Sequence, residues 1–249
     1  MIISISGKIG SGKDTVGKII QYLYYYKQHQ DSKDKDFYYP YDVFLAELEG
    51  DPLLDLSSSG WHIKKFAGKV KEICSILTGI PVEDFEKQEV KDRVLGEEWN
   101  KYSGFINTHG SIATVTKMTV RDLLQQVGTD AMRNVIHENV WVNALFADYG
   151  IKDLNYFKAY PDNYNLPNWI ITDCRFPNEA QAIKDRGGLL IRVNRNTYTP
   201  YMSIDRNHTP HTSETALDDH SFDEVIDNNG TMQELIEKVK QILIKHKIL

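Results

Sequence analysis

Short apolar runs alternate with amphipathic stretches along this chain, and the first pair is the clearest. Residues 2–5 are isoleucine except for one serine, and the run ends at Gly7. Because it is apolar on both faces, it predicts a buried, central strand. Residues 13–26 lack proline and carry one apolar stripe at helical spacing, made of Val16, Ile19, Ile20 and Leu23. The pattern predicts a strand followed directly by a helix.

The last third of the chain repeats this rhythm. Apolar runs at 169–172 and 189–193 predict two strands, and residues 223–226 are expected to form a third. Residues 177–186 predict a helix that starts with proline. A capping box, Thr231 with Glu234, predicts a terminal helix. Strands that alternate with helices favour right-handed crossovers and a parallel sheet, so we expect an α/β fold.

The middle of the chain has a different pattern, in which helical stretches dominate. Residues 67–77 keep helical spacing until Gly79, and four lysines stand near their start: Lys64, Lys65, Lys69 and Lys71. Thr119 is expected to cap a helix that Gly128 closes, and a further helix is expected through Trp141. Residues 28–36 are expected to be a loop, and residues 149–168 an insertion or a loop. The pattern predicts a helical region between the first strand and the later ones.

Charge and composition restrict the partners. The chain has 29 Lys and Arg against 35 Asp and Glu, a net charge of −6, which argues against binding to a nucleic-acid polymer. An acidic chain can still bind one phosphorylated small molecule where a few cations converge. Cys74 and Cys174 show no disulfide or zinc spacing, and nothing approaches the roughly 20 apolar residues of a membrane span. We therefore expect a complete cytoplasmic chain with no membrane partner.

Candidate chemistry begins directly after the first strand. Gly7, Gly12 and Lys13 match the G-x-x-x-x-G-K pattern of a phosphate-binding P-loop, and Gly10 lies between them. In such a loop the glycines let backbone N–H groups turn inward at a helix N-terminus. Lys13 is then expected to reach the β- and γ-phosphates of a nucleoside triphosphate. The alternative is a plain glycine turn.

One position departs from the general P-loop pattern. Asp14 stands where Ser or Thr normally supplies a hydroxyl to Mg²⁺, and the hydroxyl follows at Thr15. Neighbouring helical residues point about 100° apart, so Thr15 cannot simply replace position 14. Three roles for Asp14 stay open: it approaches the metal, it hydrogen-bonds a donor on the acceptor substrate, or it only caps the helix dipole.

A second acidic residue stands at the end of a later strand. Asp173 closes the apolar run at 169–172, the position of the acidic residue that helps to hold Mg²⁺ in P-loop proteins. Arg175 follows two residues later, at the edge where open α/β sheets keep their sites. Asp173 is therefore a candidate Mg²⁺ ligand, beside the candidates Asp14 and Thr15. A strand-ending aspartate that only forms a turn is the alternative.

His208, His211 and Glu214 have a spacing that suggests a metal site. Pro210 breaks the helix that would align the two imidazoles, and no second cluster completes four ligands. We therefore do not expect a metal there.

Several motifs together resemble phage-type deoxynucleoside monophosphate kinases. They lie in family order along nearly the whole chain: Ser6-Gly7 through Gly12-Lys13-Asp14-Thr15, Phe66-Ala67-Gly68 leading to Lys71, Arg121 through Asp130, Trp141, Asp173-Cys174-Arg175, and His211-Thr212-Ser213-Glu214. The resemblance implies a P-loop nucleoside-kinase-like three-layer fold. It also implies transfer of the γ-phosphoryl group of ATP to a deoxynucleoside 5′-monophosphate (dNMP), with Mg²⁺ as cofactor. Residues 28–60 and 148–168 match no part of the family and are expected to be insertions.

The resemblance also implies roles for individual residues. The catalytic residues would be Lys13, Arg121 and Arg175. The acceptor-binding set would be Lys71, Arg121, Gln125, Gly128, Thr129, Trp141, Asp173 and Arg175, in which Arg121 clamps the acceptor phosphate and Trp141 faces the base. Plain structural roles stay open for Arg121 as a surface ion pair and for Trp141 as a core residue.

The resemblance implies one P-loop kinase domain over residues 1–249. Within it, residues 61–148 would form a helical acceptor-binding insertion, and residues 194–214 a lid-like segment. We expect one of Arg192, Arg195 and Arg206 to close over the transferred phosphate. Two other functions stay open: a kinase for another small phosphorylated metabolite, and a nucleotide-binding ATPase or switch without an acceptor. A homodimer is also left open.

Overall fold

The computed structural model describes residues 1–29, 44, 56–103, 114–151, 154–159, 165–196 and 212–249. By contact density the chain divides into two compact units. The sheet unit comprises Met1–Lys65 and Leu145–Leu249, and the helical unit comprises Phe66–Ala144.

The described residues form seven strands: β1 (Ile2–Ser6), β2 (Trp61–Lys64), β3 (Lys101–Ser103), β4 (Thr114–Thr116), β5 (Asn168–Cys174), β6 (Leu189–Asn194) and β7 (Glu224–Asp227). They also form nine α-helices: α1 (Lys13–His29), α2 (Gly68–Thr78), α3 (Gln88–Asp92), α4 (Val120–Gln125), α5 (Val140–Phe146), α6 (Leu154–Ala159), α7 (Pro177–Lys184), α8 (Thr212–Thr215) and α9 (Met232–Lys245). A π-helix, Gln126–Ile136, continues α4.

The sheet unit is built on a parallel sheet with β1 at its centre. Within the described residues the strand order is β2–β5–β1–β6–β7, and every neighbouring pair is parallel. Parallel strands have their carboxyl ends at one edge, so the segments after β1, β5 and β7 meet there. The predicted α/β class and the central position of the first strand are confirmed.

Helices cover both faces of this sheet, as the alternation of side chains along β1 requires. Ile3 and Ile5 belong to one apolar core with residues of α1 and α9. Ile2 lies on the opposite face of β1, near α7. A Cβ added at Gly188 would be 3.2 Å from the Ile2 Cβ and 2.5 Å from the Ile183 Cγ2 of α7. The unit therefore has three layers, as predicted.

The helical unit contains α2, α3, α4, the π-helix and a two-stranded antiparallel pair, β3–β4. Thr119 caps α4 as predicted: its side chain accepts the Asp122 N–H, and the Asp122 carboxylate accepts the Thr119 N–H at 2.9 Å. Gly79 ends α2 in the left-handed conformation expected of a glycine C-cap.

Three local expectations were wrong. Gly128 does not end a helix, because the chain continues through it as the π-helix Gln126–Ile136. Helix α1 extends to His29 and so includes two residues predicted as loop. The segment 149–168 contains α6, and β5 begins at its last residue.

No helix in the described part of the chain is both long and apolar enough to cross a bilayer.

Candidate functional site

The loop that follows β1 turns tightly because of its glycines. Gly10 and Gly12 have φ angles of 76° and 97°, in the left-handed region that residues with a Cβ rarely adopt. Gly7 lies so close to β6 that a Cβ there would be 2.5 Å from the Val193 carbonyl oxygen. Residues 7–13 therefore take the tight course of a phosphate-binding loop and lead directly into α1.

Lys13 lies within this loop and is largely buried, with 9% of its surface exposed. Its Nζ donates a hydrogen bond to the Lys8 carbonyl oxygen at 2.8 Å. Burial, and then the positive charge of Arg175, lower the pKa of Lys13 from 10.5 to about 8. Glu214, Asp14 and Asp173 act in the opposite direction. The charges of these three carboxylates and of Arg175 therefore act on the Lys13 ammonium.

Asp14 is compensated by a cation that the sequence did not indicate. Its Oδ1 accepts a hydrogen bond from the Thr172 hydroxyl at 2.6 Å and lies 3.2 Å from the Lys65 ammonium. Partial desolvation by the surrounding protein would raise the pKa of Asp14, but Lys65 and the Thr172 hydrogen bond outweigh it and hold that pKa below its ordinary value, although the side chain is 63% exposed. Asp14 is thus a charged, paired carboxylate at the first turn of α1, which reduces its repulsion of a polyphosphate. Thr15 follows it in α1 and is partly buried.

Arg175 follows β5 and is held from two sides. Its backbone N–H donates to Glu179 Oε2 at 2.8 Å, and Glu179 also accepts the Phe176 N–H at 3.1 Å, which fixes the start of α7. The Arg175 guanidinium pairs with Glu214, whose side chain is 3% exposed. Asp173 lies two residues before Arg175, within β5.

A side chain from the far end of the chain supports the P-loop. Asn228 follows β7, is 8% exposed, and donates from Nδ2 to the Ser11 carbonyl oxygen at 2.9 Å. The same Nδ2 lies 2.5 Å from the position of a Cβ added at Gly12. No sequence pattern pointed to Asn228, because it is 217 positions from its partner.

The sheet unit thus brings together the predicted residues of the phosphate and metal end, Gly7 to Thr15 with Asp173 and Arg175. The other predicted acceptor residues belong to the helical unit: Lys71, Arg121, Gln125, Gly128, Thr129 and Trp141.

Both predicted cations of the helical unit are paired with carboxylates. Arg121, on the first turn of α4, donates from Nη2 to Asp92 Oδ1 at 2.7 Å and from Nε at 3.2 Å. Lys71, on α2, donates to Glu86 and is 9% exposed. The side chain of Arg121 is 26% exposed. Each cation would have to share or exchange its carboxylate to bind a phosphate.

Trp141 contacts the π-helix and not solvent. It is 4% exposed, and its indole N–H donates to the Gly128 carbonyl oxygen at 2.6 Å. Gly128 and Thr129 lie in the π-helix, and Gln125 is the last residue of α4. A π-helix costs backbone hydrogen-bond geometry and occurs frequently at functional sites. Trp141 therefore fixes the segment that carries Gly128 and Thr129.

Part of the predicted lid lies outside the described residues. His208, His211 and Arg206 are among these, so their predicted roles are not tested. Arg195 is described and exposed. Arg192, in β6, donates to the Ser6 hydroxyl at 3.2 Å and to Asp218 at 3.0 Å.

No group of three or more His, Cys, Asp or Glu side chains with metal-site geometry occurs in the ranges given above.

Comparison with known proteins gives a consistent result. A family model described as deoxynucleotide monophosphate kinase matches residues 64–239. The deoxynucleotide monophosphate kinase of Escherichia phage RB69 is 30% identical over 125 residues, 50% of this chain and 45% of that protein. That of Enterobacteria phage T4 is 29% identical over 155 residues, 62% of this chain and 56% of that protein. The chain spans about half the length of these curated relatives.

Proposed function

The chain belongs to the deoxynucleotide monophosphate kinase family, and from this premise we propose that it transfers the γ-phosphoryl group of ATP to a dNMP. The attacking oxygen belongs to the 5′-phosphate of the acceptor, the broken bond joins the γ-phosphorus to the β,γ-bridging oxygen, and the products are ADP and a deoxynucleoside diphosphate. The observation that carries the proposal is the tight glycine loop at residues 7–13, with its buried Lys13, in a chain of this family.

The donor end of the reaction is proposed to lie at the P-loop. Its backbone N–H groups and the N-terminus of α1 would bind the phosphates of ATP. The Lys13 ammonium, now 2.8 Å from the Lys8 carbonyl oxygen, would move to the β- and γ-phosphates. Arg175 would neutralise charge on the transferred group. Phosphoryl transfer needs little covalent chemistry from the protein, so positioning and charge compensation would supply most of the rate.

Mg²⁺ is proposed as cofactor, because the oxygen donors near Lys13 fit it. Mg²⁺ prefers oxygen ligands and takes only one or two carboxylates where substrate phosphates supply the rest. Asp14 follows Lys13 and accepts a hydrogen bond from Thr172 of β5, and Asp173 is the next residue of that strand, so two carboxylates lie at the phosphate end. Thr15 adds a hydroxyl. These three residues would hold the ion. When bound, it would neutralise charge on the β- and γ-phosphates.

The helical unit is proposed to bind the acceptor, and residues 194–214 to act as a lid. Arg121 would take the acceptor 5′-phosphate in place of Asp92, assisted by Lys71 and Gln125. The segment fixed by Trp141, which carries Gly128 and Thr129, would line the nucleoside pocket. The support for this assignment is that two cations of the unit are held by carboxylates, which a more highly charged phosphate can displace.

Release of ADP, measured in a coupled assay with and without each dNMP, tests the proposal. We expect release that depends on a dNMP and is lost in Lys13→Met. Release without any acceptor would instead indicate an ATPase or switch. Dependence on another phosphorylated metabolite would indicate a different kinase. The same panel reports which base and which sugar are accepted.

A further inference from the structure

One buried carboxylate joins the P-loop to the arginine at the end of β5. Glu214, on α8, is 6% exposed, which is rare for a carboxylate without compensation. It accepts the Ile9 backbone N–H at 3.2 Å through Oε2 and pairs with the Arg175 guanidinium through Oε1. Each carboxylate oxygen therefore has its own donor, one from the P-loop and one from Arg175.

Asp218, four positions after Glu214, also joins the P-loop to an arginine. Asp218 pairs with Lys8 Nζ at 3.0 Å through one oxygen and with Arg192 Nη2 at 3.0 Å through the other. Again one partner comes from the P-loop and one is an arginine of the sheet unit. Its side chain is 35% exposed, so solvent weakens these pairs. Glu214 is the buried and therefore stronger of the two links.

We propose that Glu214 is a positioning residue for the phosphoryl transfer, holding Arg175 at the P-loop. This inference rests on the proposed function. Lys13 and Arg175 repel each other, and without compensation the flexible arginine would turn towards solvent. Glu214 offsets that repulsion and engages one guanidinium nitrogen. The Arg175 side chain is 29% exposed, and Glu214 engages only one of its nitrogens. Donors fixed before the reaction need no rearrangement during it.

The Ile9 hydrogen bond gives Glu214 a second effect. Ile9 is the third residue of the P-loop, and its N–H is directed to the carboxylate. The loop is consequently held at residue 9 by Glu214 and at residue 11 by Asn228. Movement of the carboxylate would move the loop and Arg175 together.

The variant Glu214→Gln tests this role. An amide has one acceptor oxygen and no charge, so either Ile9 or Arg175 loses its partner. We expect kcat to fall about tenfold or more, with the KM for ATP within about threefold of wild type. The matched control is Asp223→Asn. Asp223 also accepts one backbone N–H, from Leu190 at 2.8 Å, and pairs with one cation, Lys184 at 2.7 Å. Its loss should leave kcat unchanged.

A double-mutant cycle separates positioning from a merely structural role. In an Arg175→Met background, Glu214→Gln should lower kcat by less than about twofold, because its partner is already absent. A full tenfold loss in that background would overturn the inference. So would wild-type kcat in folded Glu214→Gln.

Two further measurements keep the test decisive. Should Glu214→Gln fail to fold, Glu214→Asp keeps the charge but is one methylene too short to reach both donors. It should also lower kcat, and a wild-type value would contradict the role. Wild-type protein that lacks dNMP-dependent ADP release would refute the proposed function itself, which is a different outcome.

Discussion

A single methyl group added at Gly17 should destabilise the protein, although alanine normally favours a helix over glycine. Gly17 lies in α1 on the face that packs against β5. A Cβ built there is 2.8 Å from Thr172 Cγ2, closer than real Cβ contacts come, and 3.5 Å from Ile170 Cγ2. Both neighbours belong to the buried sheet, with Thr172 1% exposed. The methyl group therefore has no free space.

The size of the effect follows from two opposing contributions. Alanine in place of glycine within a helix stabilises by about 1 kcal/mol. Overpacking a buried contact costs typically about 1–3 kcal/mol. Thr172 cannot turn away freely, because its hydroxyl donates to Asp14 at 2.6 Å. We expect Gly17→Ala to lower the free energy of unfolding by about 1 kcal/mol net, or roughly 2–4 °C in Tm at this chain length.

Thermal and urea unfolding measure this loss of stability directly, and two further variants serve as controls. Gly68, the first residue of α2, meets nothing within 4 Å of an added Cβ, so Gly68→Ala should leave Tm unchanged or raise it. Thr172→Ser removes the clashing methyl group but keeps the hydroxyl for Asp14. In that background Gly17→Ala should no longer destabilise. A Tm increase for Gly17→Ala alone, or no rescue by Thr172→Ser, would refute the packing argument.

Three other predictions follow from the site and the helical unit. Lys65→Met removes the ammonium partner of Asp14 and should raise the KM for ATP about tenfold in a steady-state assay, whereas Lys65→Arg keeps the charge and should stay within about twofold of wild type. An unchanged KM in Lys65→Met would contradict this role. Because the pKa of Lys13 is lowered to about 8, kcat/KM for ATP should fall as the pH rises past about 8 and Lys13 loses its charge. Arg175→Met should move this fall to higher pH, since the Arg175 charge helps to lower that pKa. A pH profile that stays flat to pH 10 would contradict the role of Lys13 in binding ATP. Thr119→Ala removes the capping box of α4 and should cost about 1 kcal/mol in urea unfolding.

The elements that sequence predicted well are those fixed by local patterns. The strand at residues 2–5, the helix cap at Thr119 and the capping box at Thr231 each depend on neighbours within a few positions. The parallel sheet follows from the alternation of strands and helices, whereas the order of its strands was not predicted. Family membership, predicted from motifs spread over the chain, is confirmed by the family match.

Features that depend on distant partners were not predictable in this way. Glu214 and Ile9 are 205 positions apart, and no periodicity joins them. The π-helix was missed because glycine is also a common C-cap, and the choice depends on packing around Gly128, to which Trp141 contributes a hydrogen bond. The compensation of Asp14 by Lys65 needs the fold, since the local pattern showed only a lysine-rich helix start.

The position of the transferred phosphoryl group tests the central claim most directly. Wild-type protein would be incubated with ATP labelled at the γ-phosphate, Mg²⁺ and each dNMP in turn, and the products separated. We predict that the label appears in a deoxynucleoside diphosphate, in amounts equal to the ADP formed, and that Lys13→Met forms neither product. Label found only in inorganic phosphate, at the same rate with and without a dNMP, would contradict the account.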